Sequence, residues 1–262
     1  GEFGFAFADD QVIDALAFSP DGTRLVTAGR EGGINGDIYL TIWDVQTGEP
    51  VIDPIEIASR VSDIAFTPDG TQFVVAEDHG RALFYNVATG VEGQEFQHNE
   101  AVYTLAFSPD GRYLATGTDN TARVWNVNTG QLEASLFHNS PVRSLAFTPS
   151  HAFLLTGSED GALRFWEVSS WNELGRIHQG GPVTALLIHP DGRVALTTND
   201  ILAELWNLDA VKLLRPTQLV DEACSRLTRN LTASEWEQYI GNEEGSQAYR
   251  AICPNLPFEA GD

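Results

Sequence analysis

The chain has 262 residues, 42% of them hydrophobic, and its 15 Lys and Arg face 37 Asp and Glu for a formal charge of −22. That apolar fraction excludes a disordered chain, and no apolar run of about 18 residues is present to cross a membrane as a helix. The acidity argues against nucleic acid and anionic membrane surfaces as partners, since both need clustered Lys and Arg.

No basic-then-apolar leader opens the sequence, so the expected location is the cytoplasm. The sequence contains no methionine. Two readings follow: Gly1 was exposed by cleavage or cut from something larger, or only the initiator was removed.

In chain order, Glu2–Ala8 reads as an orphan strand ahead of a repeat. The stretch LAFSPDG at 16–22 returns as IAFTPDG at 64–70, LAFSPDG at 105–111, LAFTPSH at 145–151 and LLIHPDG at 186–192. A second, aromatic anchor follows each one: Trp43, Tyr85, Trp125, Trp166 and Trp206, separated by 42, 40, 41 and 40 residues. Each unit holds four short runs with alternating apolar residues, which is the pattern of half-buried strands. In the third unit they are AVYTLAFSP, YLATGT, ARVWNV and LEASLF. Pro109-Asp110-Gly111 and Asn128-Thr129-Gly130 supply tight turns between them. Four strands joined by short turns make an antiparallel meander, and radial repetition protects its edges.

These units resemble the blades of WD-repeat (WD40) β-propellers, and the resemblance covers about residues 9–216. It implies an all-β fold of four-stranded blades over 1–216, with blades at about 9–50, 51–97, 98–137, 138–177 and 178–216. Two arrangements stay open: five blades that close alone, or part of a larger propeller. The resemblance also implies a buried polar tetrad in which a His bonds a Ser or Thr, that group bonds an Asp, and the Asp bonds the Trp indole. The matching sets are His98, Thr116, Asp119 and Trp125; then His138, Thr156, Asp160 and Trp166; then His178, Thr197 or Thr198, Asp200 and Trp206. Unit one keeps Asp37 and Trp43 without the His. Unit two has His79 in place of the Asp and Tyr85 in place of the Trp. Both departing blades are expected to rely mainly on apolar packing.

Residues 217–262 break the period. Leu219, Ala223 and Leu227 have helical spacing, and Thr232-Ala-Ser-Glu235 is a capping box. A short helical extension packed on the propeller is expected. Arg229–Thr232, Glu235-Trp236, Tyr239, Tyr249 and Cys253-Pro254 resemble an extension that follows WD-repeat arrays in large bacterial signalling proteins. Cys224 and Cys253 form either a disulfide or a pair of buried thiols.

Function is expected in loops rather than in chemistry. A His–Thr–Asp set that recurs once per blade is structural, and no nucleophile elbow, zinc-protease pair, phosphate loop, calcium loop or cofactor motif is present. The expected role is a non-catalytic platform for a protein or peptide partner, with a basic one favoured by the charge. That partner contact would control an upstream effector module. The alternative is a propeller that binds a small ligand or carbohydrate between blades. Partner-binding candidates are Glu31, Ile34, Asn35 and Asp37 in an insertion of blade one, and Tyr103 and Arg143 at matching positions of the first strands. His79, with Asp78 and Arg81, is a further candidate on the same rim. On the opposite face, Trp171 stands in a turn where glycine is usual; it is expected to be exposed and is a further binding candidate, for contact with the tail or a neighbouring module.

Overall fold

A computed structural model describes residues 11–31, 36–199 and 201–208. The chain divides into two units, Gly1–Val211 and Lys212–Asp262, and every described residue belongs to the first. The expected orphan strand, a fourth strand of blade five at Lys212–Arg215, the helical extension and both cysteines lie outside the described residues.

The first unit is built of antiparallel sheets joined in chain order. Blade one comprises β1 (Gln11–Phe18), β2 (Arg24–Glu31), β3 (Ile38–Asp44) and β4 (Ile55–Ile57). Blade two comprises β5 (Val61–Phe66), β6 (Gln72–Glu77), β7 (Arg81–Asn86) and β8 (Glu92–Gln97). Blade three comprises β9 (Thr104–Phe107), β10 (Tyr113–Gly117), β11 (Thr121–Asn126) and β12 (Leu132–Phe137). Blade four comprises β13 (Val142–Phe147), β14 (Phe153–Ser158), β15 (Ala162–Glu167) and β16 (Glu173–His178). Blade five is described as β17 (Ala185–Ile188), β18 (Val194–Thr198) and β19 (Ala203–Asn207).

The Pro-Asp-Gly sequence sets the first hairpin of a blade. In blade one Gly22 takes φ 69, a conformation that favours glycine. The Asp21 carboxylate accepts bonds from the Ser19 hydroxyl at 2.6 Å and the Thr23 amide at 3.0 Å. Those bonds hold Asp21 down at about 2. Blade four breaks this grammar twice, because His151 and Trp171 adopt φ 61 and φ 57 without being glycine. Both side chains reach blade three. His151 lies 3.6 Å from the Asp110 carboxylate, and the Trp171 ring packs edge-on against Tyr113 with centroids 5.2 Å apart. Trp171 is therefore half-buried at a blade junction rather than exposed.

Each blade packs one face on the next. The outward row Val26 and Ile42 of blade one meets Ile64, Phe66, Phe73 and Tyr85 of blade two. Val74 and Phe84 of blade two meet Leu105 and Leu114 of blade three. Ala115 and Val124 of blade three meet Leu145, Leu154 and Trp166 of blade four. The first strands β1, β5, β9, β13 and β17 pack one on the next in chain order.

Candidate interaction face

A buried polar bridge links the outer strand of one blade to the middle of the next. In blade three the Trp125 indole N–H donates to Thr116 Oγ1 at 3.1 Å, and the same hydroxyl lies 2.8 Å from His98 Nε2. His98 Nδ1 faces the Phe96 carbonyl at 3.2 Å. That carbonyl can only accept, so Nδ1 carries the proton and Nε2 accepts from the threonine. Blade four repeats the arrangement: Trp166 to Thr156 at 2.9 Å, Thr156 to His138 at 2.7 Å, and His138 Nδ1 to the Leu136 carbonyl at 2.9 Å. Burial pushes both imidazoles down to about 4 and keeps them neutral.

The expected tetrads need correction in three places. The Trp indoles donate to threonine, not to aspartate. Asp119 is exposed and accepts from the Tyr103 hydroxyl, while Asp160 is held by the buried Arg164 at 2.6 Å. In blade five the acceptor is Gln179, not His178. Thr197 Oγ1 donates to Gln179 Oε1 at 2.6 Å and accepts from the Trp206 indole at 2.8 Å. His178 points outward at the end of β16, and Thr198 bonds Thr184 instead. Asp200 lies outside the described residues. Blade one keeps part of the bridge, since Trp43 donates to Thr27 at 2.9 Å, and Asp37 is exposed.

Blade two replaces the whole bridge. Ile57, Val75 and Tyr85 stand at the positions of His98, Thr116 and Trp125, with the same separation of 18 residues between the first two. All three are buried in one cluster, and Tyr85 stacks on Phe73. The one polar atom left, the Tyr85 hydroxyl, faces Glu92 Oε1 at 3.5 Å, so changing all three members together orphans no buried donor.

This frame positions a second set of side chains, nearly buried at Asp14 and Arg30, half-buried at Ser62, Tyr103 and Arg143, and exposed at Asp78, Asp119 and Glu159. The first strands β1, β5 and β13 carry a register shift that skips Asp14, Ser62 and Arg143. A bulge re-aims the extra side chain. Each bulge residue meets the residue sixteen positions later: Asp14 with Arg30 at 2.6 Å, Ser62 with Asp78 at 2.8 Å, and Arg143 with Glu159 at 2.7 Å. Tyr103 holds the matching place before β9, and its hydroxyl donates to Asp119, again sixteen residues on. Links also run between blades. The Arg143 guanidinium lies 3.9 Å from the centre of the Tyr103 ring, and Arg60 lies 3.6 Å from Asp14.

Just inside this rim, Asp63 of β5 accepts the Leu105 amide of β9 at 2.8 Å and the Ile64 amide at 2.8 Å. Protein surrounds the carboxyl closely although part of its surface stays open, and that desolvation pushes its pKa up to about 6 against the amide bonds.

Of the expected binding residues, Tyr103 and Arg143 are brought into contact. His79 is exposed nearby and bonds Ser59 at 2.8 Å, whereas Arg81 is taken up by Glu95 at 3.1 Å and Glu77 at 3.7 Å. Glu31 ends β2, and its amide donates to the Asp37 carbonyl at 3.0 Å; Ile34 and Asn35 lie outside the described residues. Sequence reasoning passed over Asp14, Arg30, Ser62 and Asp63, and it placed Asp78 beside His79 without its partner Ser62. The spacing of sixteen between each first-strand start and the following turn is the signal that would have found three of them. Among the described residues, no group of three or more His, Cys, Asp or Glu stands together to hold a metal ion.

Comparison with known proteins agrees with this geometry. The family described as WD domain, G-beta repeat matches residues 6–44, 90–126 and 130–167, somewhat under half of the chain. Each of the last two stretches encloses one complete His–Thr–Trp bridge. Protein HIR1 of Yarrowia lipolytica (strain CLIB 122 / E 150) is 31% identical over 116 residues, covering 43% of this chain. That match spans 9% of the length of the relative. The stretches that the WD domain, G-beta repeat model matches thus overlap the four-stranded antiparallel blades one, three and four.

Proposed function

We propose that the blades form a non-catalytic platform that binds a basic protein or peptide segment across the bulge face. The observation that carries this reading is the ladder of paired side chains at matching positions of adjacent blades. Ser62–Asp78, Tyr103–Asp119 and Arg143–Glu159 set polar groups around the starts of the first strands. Asp78 and Asp119 are exposed and held by hydroxyls, which fix the carboxylates without neutralising them. Tyr103 and Arg143 add a rigid aromatic–cation pair of the kind that anchors interfaces. In this reading the chain is the C-terminal sensor or scaffold region of a larger bacterial signalling or effector protein in the cytoplasm. Its contact with the partner controls an upstream module. The tail residues Arg229–Thr232, Tyr239 and Cys253-Pro254 support that placement.

The test is fluorescence anisotropy with a labelled Lys/Arg-rich peptide and a Glu-rich peptide of equal length. The expected result is binding of the basic peptide that weakens as salt rises and falls at least about tenfold in the double variant Asp78→Asn/Asp119→Asn. Equal binding of both peptides, or an unaffected double variant, overturns the reading. A second reading, a small-ligand or carbohydrate propeller, rests on a cavity of about 440 Å³ between blades one and two. It is lined by Ser19, Asp21, Thr23, Arg24 and Asn86. Saccharide binding lost on Asn86→Ala would favour it.

A further inference from the structure

Asp63 is a charged side chain at a position where the other blades place small neutral ones. It pairs with Ala76 of β6, and the same register in the other blades gives Ala15, Thr104, Ser144 and Ala185. The position lies at the joint between one first strand and the next. Ser144 serves that joint with a hydroxyl, 3.4 Å from the Val183 carbonyl, and Asp63 serves it with a carboxylate that accepts the Leu105 amide. Ala15 holds the corresponding place between β1 and β5 with no polar side chain at all. A joint here therefore needs no charge.

The charge that Asp63 adds has no counterion. Among the described residues no Arg or His pairs with it, although Asp14, Glu77, Glu95 and Glu159 each have an arginine. Its oxygens are oriented instead by the Ile64 and Leu105 amides, one on each oxygen at 2.8 Å, and the Thr104 hydroxyl stands on the same carboxyl. An ionised carboxylate accepts at about four sites, so acceptor capacity remains. Holding this group half-buried and unpaired is unfavourable, and a cation delivered to it would offset that cost. The rim supplies the approach. Ser62, just before Asp63, holds the exposed Asp78, and Tyr103, just before Thr104, holds the exposed Asp119. Two rungs of the ladder thus start beside the residues that meet at Asp63, and Asp63 is the more deeply set carboxylate. Negative groups of this kind draw cations to the face.

We propose that Asp63 is the anchor of the basic segment: one cationic side chain of the partner reaches the β5–β9 joint and pairs with this carboxylate, while Asp78 and Asp119 meet its neighbours from the rim. This rests on the reading of the bulge face as a surface for a basic peptide, and it gives that surface a centre. The pairs at the rim are exposed and weak, whereas the pair at Asp63 is partly desolvated and correspondingly stronger.

Fluorescence anisotropy on the full chain tests this with a labelled peptide whose arginines stand at unequal spacings, so that a slip in register does not restore a lost charge. In a companion set each arginine in turn is replaced by citrulline, which keeps the shape and removes the charge. With the unmodified chain, citrulline at one position is expected to weaken binding at least about tenfold, and at each other position about two- to fivefold. Asp63→Ser, which copies Ser144, and Asp63→Asn are each expected to weaken the all-arginine peptide at least about tenfold. Both are also expected to bring the sensitive position down to the level of the rest. A merely structural loss would weaken every peptide alike and keep the ranking, and urea midpoints check the fold. Equal sensitivity at every position, or a ranking that survives in both Asp63 variants, overturns the proposal. If Asp78→Asn/Asp119→Asn still weakens binding in that case, the platform reading stands without Asp63 as its anchor. A chain that binds no basic peptide overturns both.

Discussion

Blade five supplies a substitution that removes a titrating group from blade three while leaving its hydrogen bond. Gln179 does with an amide oxygen what His98 does with Nε2, accepting the proton of a buried threonine that itself accepts from an indole. His98→Gln should therefore fold as the parent does near pH 7. The difference emerges in acid. Burial lowers His98 from its ordinary 6.5 to about 4 in the folded chain. Between those values the unfolded chain binds the proton and the folded one does not, so stability is full above about 6.5 and is lost as pH falls through about 4. Linkage over that interval is worth about 3 kcal/mol when complete and about 2 kcal/mol at pH 5. The structural cause is specific. A proton on Nε2 turns the acceptor into a donor pointed at Thr116 Oγ1, which already receives the Trp125 indole. Urea unfolding at pH 7 and pH 5 reads the effect. The parent should lose about 2 kcal/mol more than His98→Gln between the two, roughly 1 M in the midpoint. His98→Gln/His138→Gln should double that protection, since His138 is lowered to about 4 as well. Carboxylates titrate in parent and variant alike and cancel. If His98→Gln follows the parent down between pH 7 and pH 5, the buried neutral imidazole is not the acid-labile element and the argument fails.

Two further outcomes follow from the same geometry. Thr116→Val should cost about 2–4 kcal/mol, because it strands the Trp125 indole and leaves His98 without its donor. The triple change His98→Ile/Thr116→Val/Trp125→Tyr copies the side chains of blade two and should recover part of that loss; denaturation midpoints that rank the triple variant below Thr116→Val would contradict the reasoning. Asp63→Asn acts with the opposite pH sign. Since the folded Asp63 carboxyl is raised to about 6, its contribution is present below about 4 and lost as pH rises through 6. The asparagine variant should gain on the parent by up to about 3 kcal/mol between pH 4 and pH 8, and a constant difference across that range would remove Asp63 as a titrating joint between β5 and β9.

The blades were legible in the sequence because their causes are local. Alternation, the Pro-Asp-Gly turn and the aromatic anchor each act within a few residues, and the five anchors keep nearly one spacing. The bridges were legible only in part. His98 and His138 follow the last residue of an outer strand, and so does Gln179, but the residue before Gln179 is a histidine and attracts the eye. The fixed separation of 18 residues from the threonine decides between them, and it places Gln179 there. Asp119 and Asp160 misled for a different reason. Both stand six residues before a tryptophan, yet a strand-end carboxylate is free to turn outward, and each finds a better partner in Tyr103 or Arg164. Trp171 misled because a turn position was taken to mean exposure, whereas its φ of 57 aims the ring at Tyr113.

Comparing the five blades with one another separates frame from use. At the threonine position four blades keep Thr and the fifth changes all of its bridge partners together, which is how a packed, hydrogen-bonded core must vary. At the start of the first strands the five residues are Asp14, Ser62, Tyr103, Arg143 and Thr184, with no common chemistry, although a bulge repeats at Asp14, Ser62 and Arg143. Surface positions drift in any fold, but drift alone does not keep partners. Here the residue sixteen positions on changes sign with the bulge residue: Arg30 faces Asp14, and Glu159 faces Arg143. Where Ser62 or Tyr103 holds the place, the partner is a carboxylate that accepts from the hydroxyl. The frame thus fixes where these pairs stand and leaves their charge to be chosen blade by blade. A recognition surface needs that freedom, whereas a catalytic centre, which requires one convergent constellation, gains nothing from it.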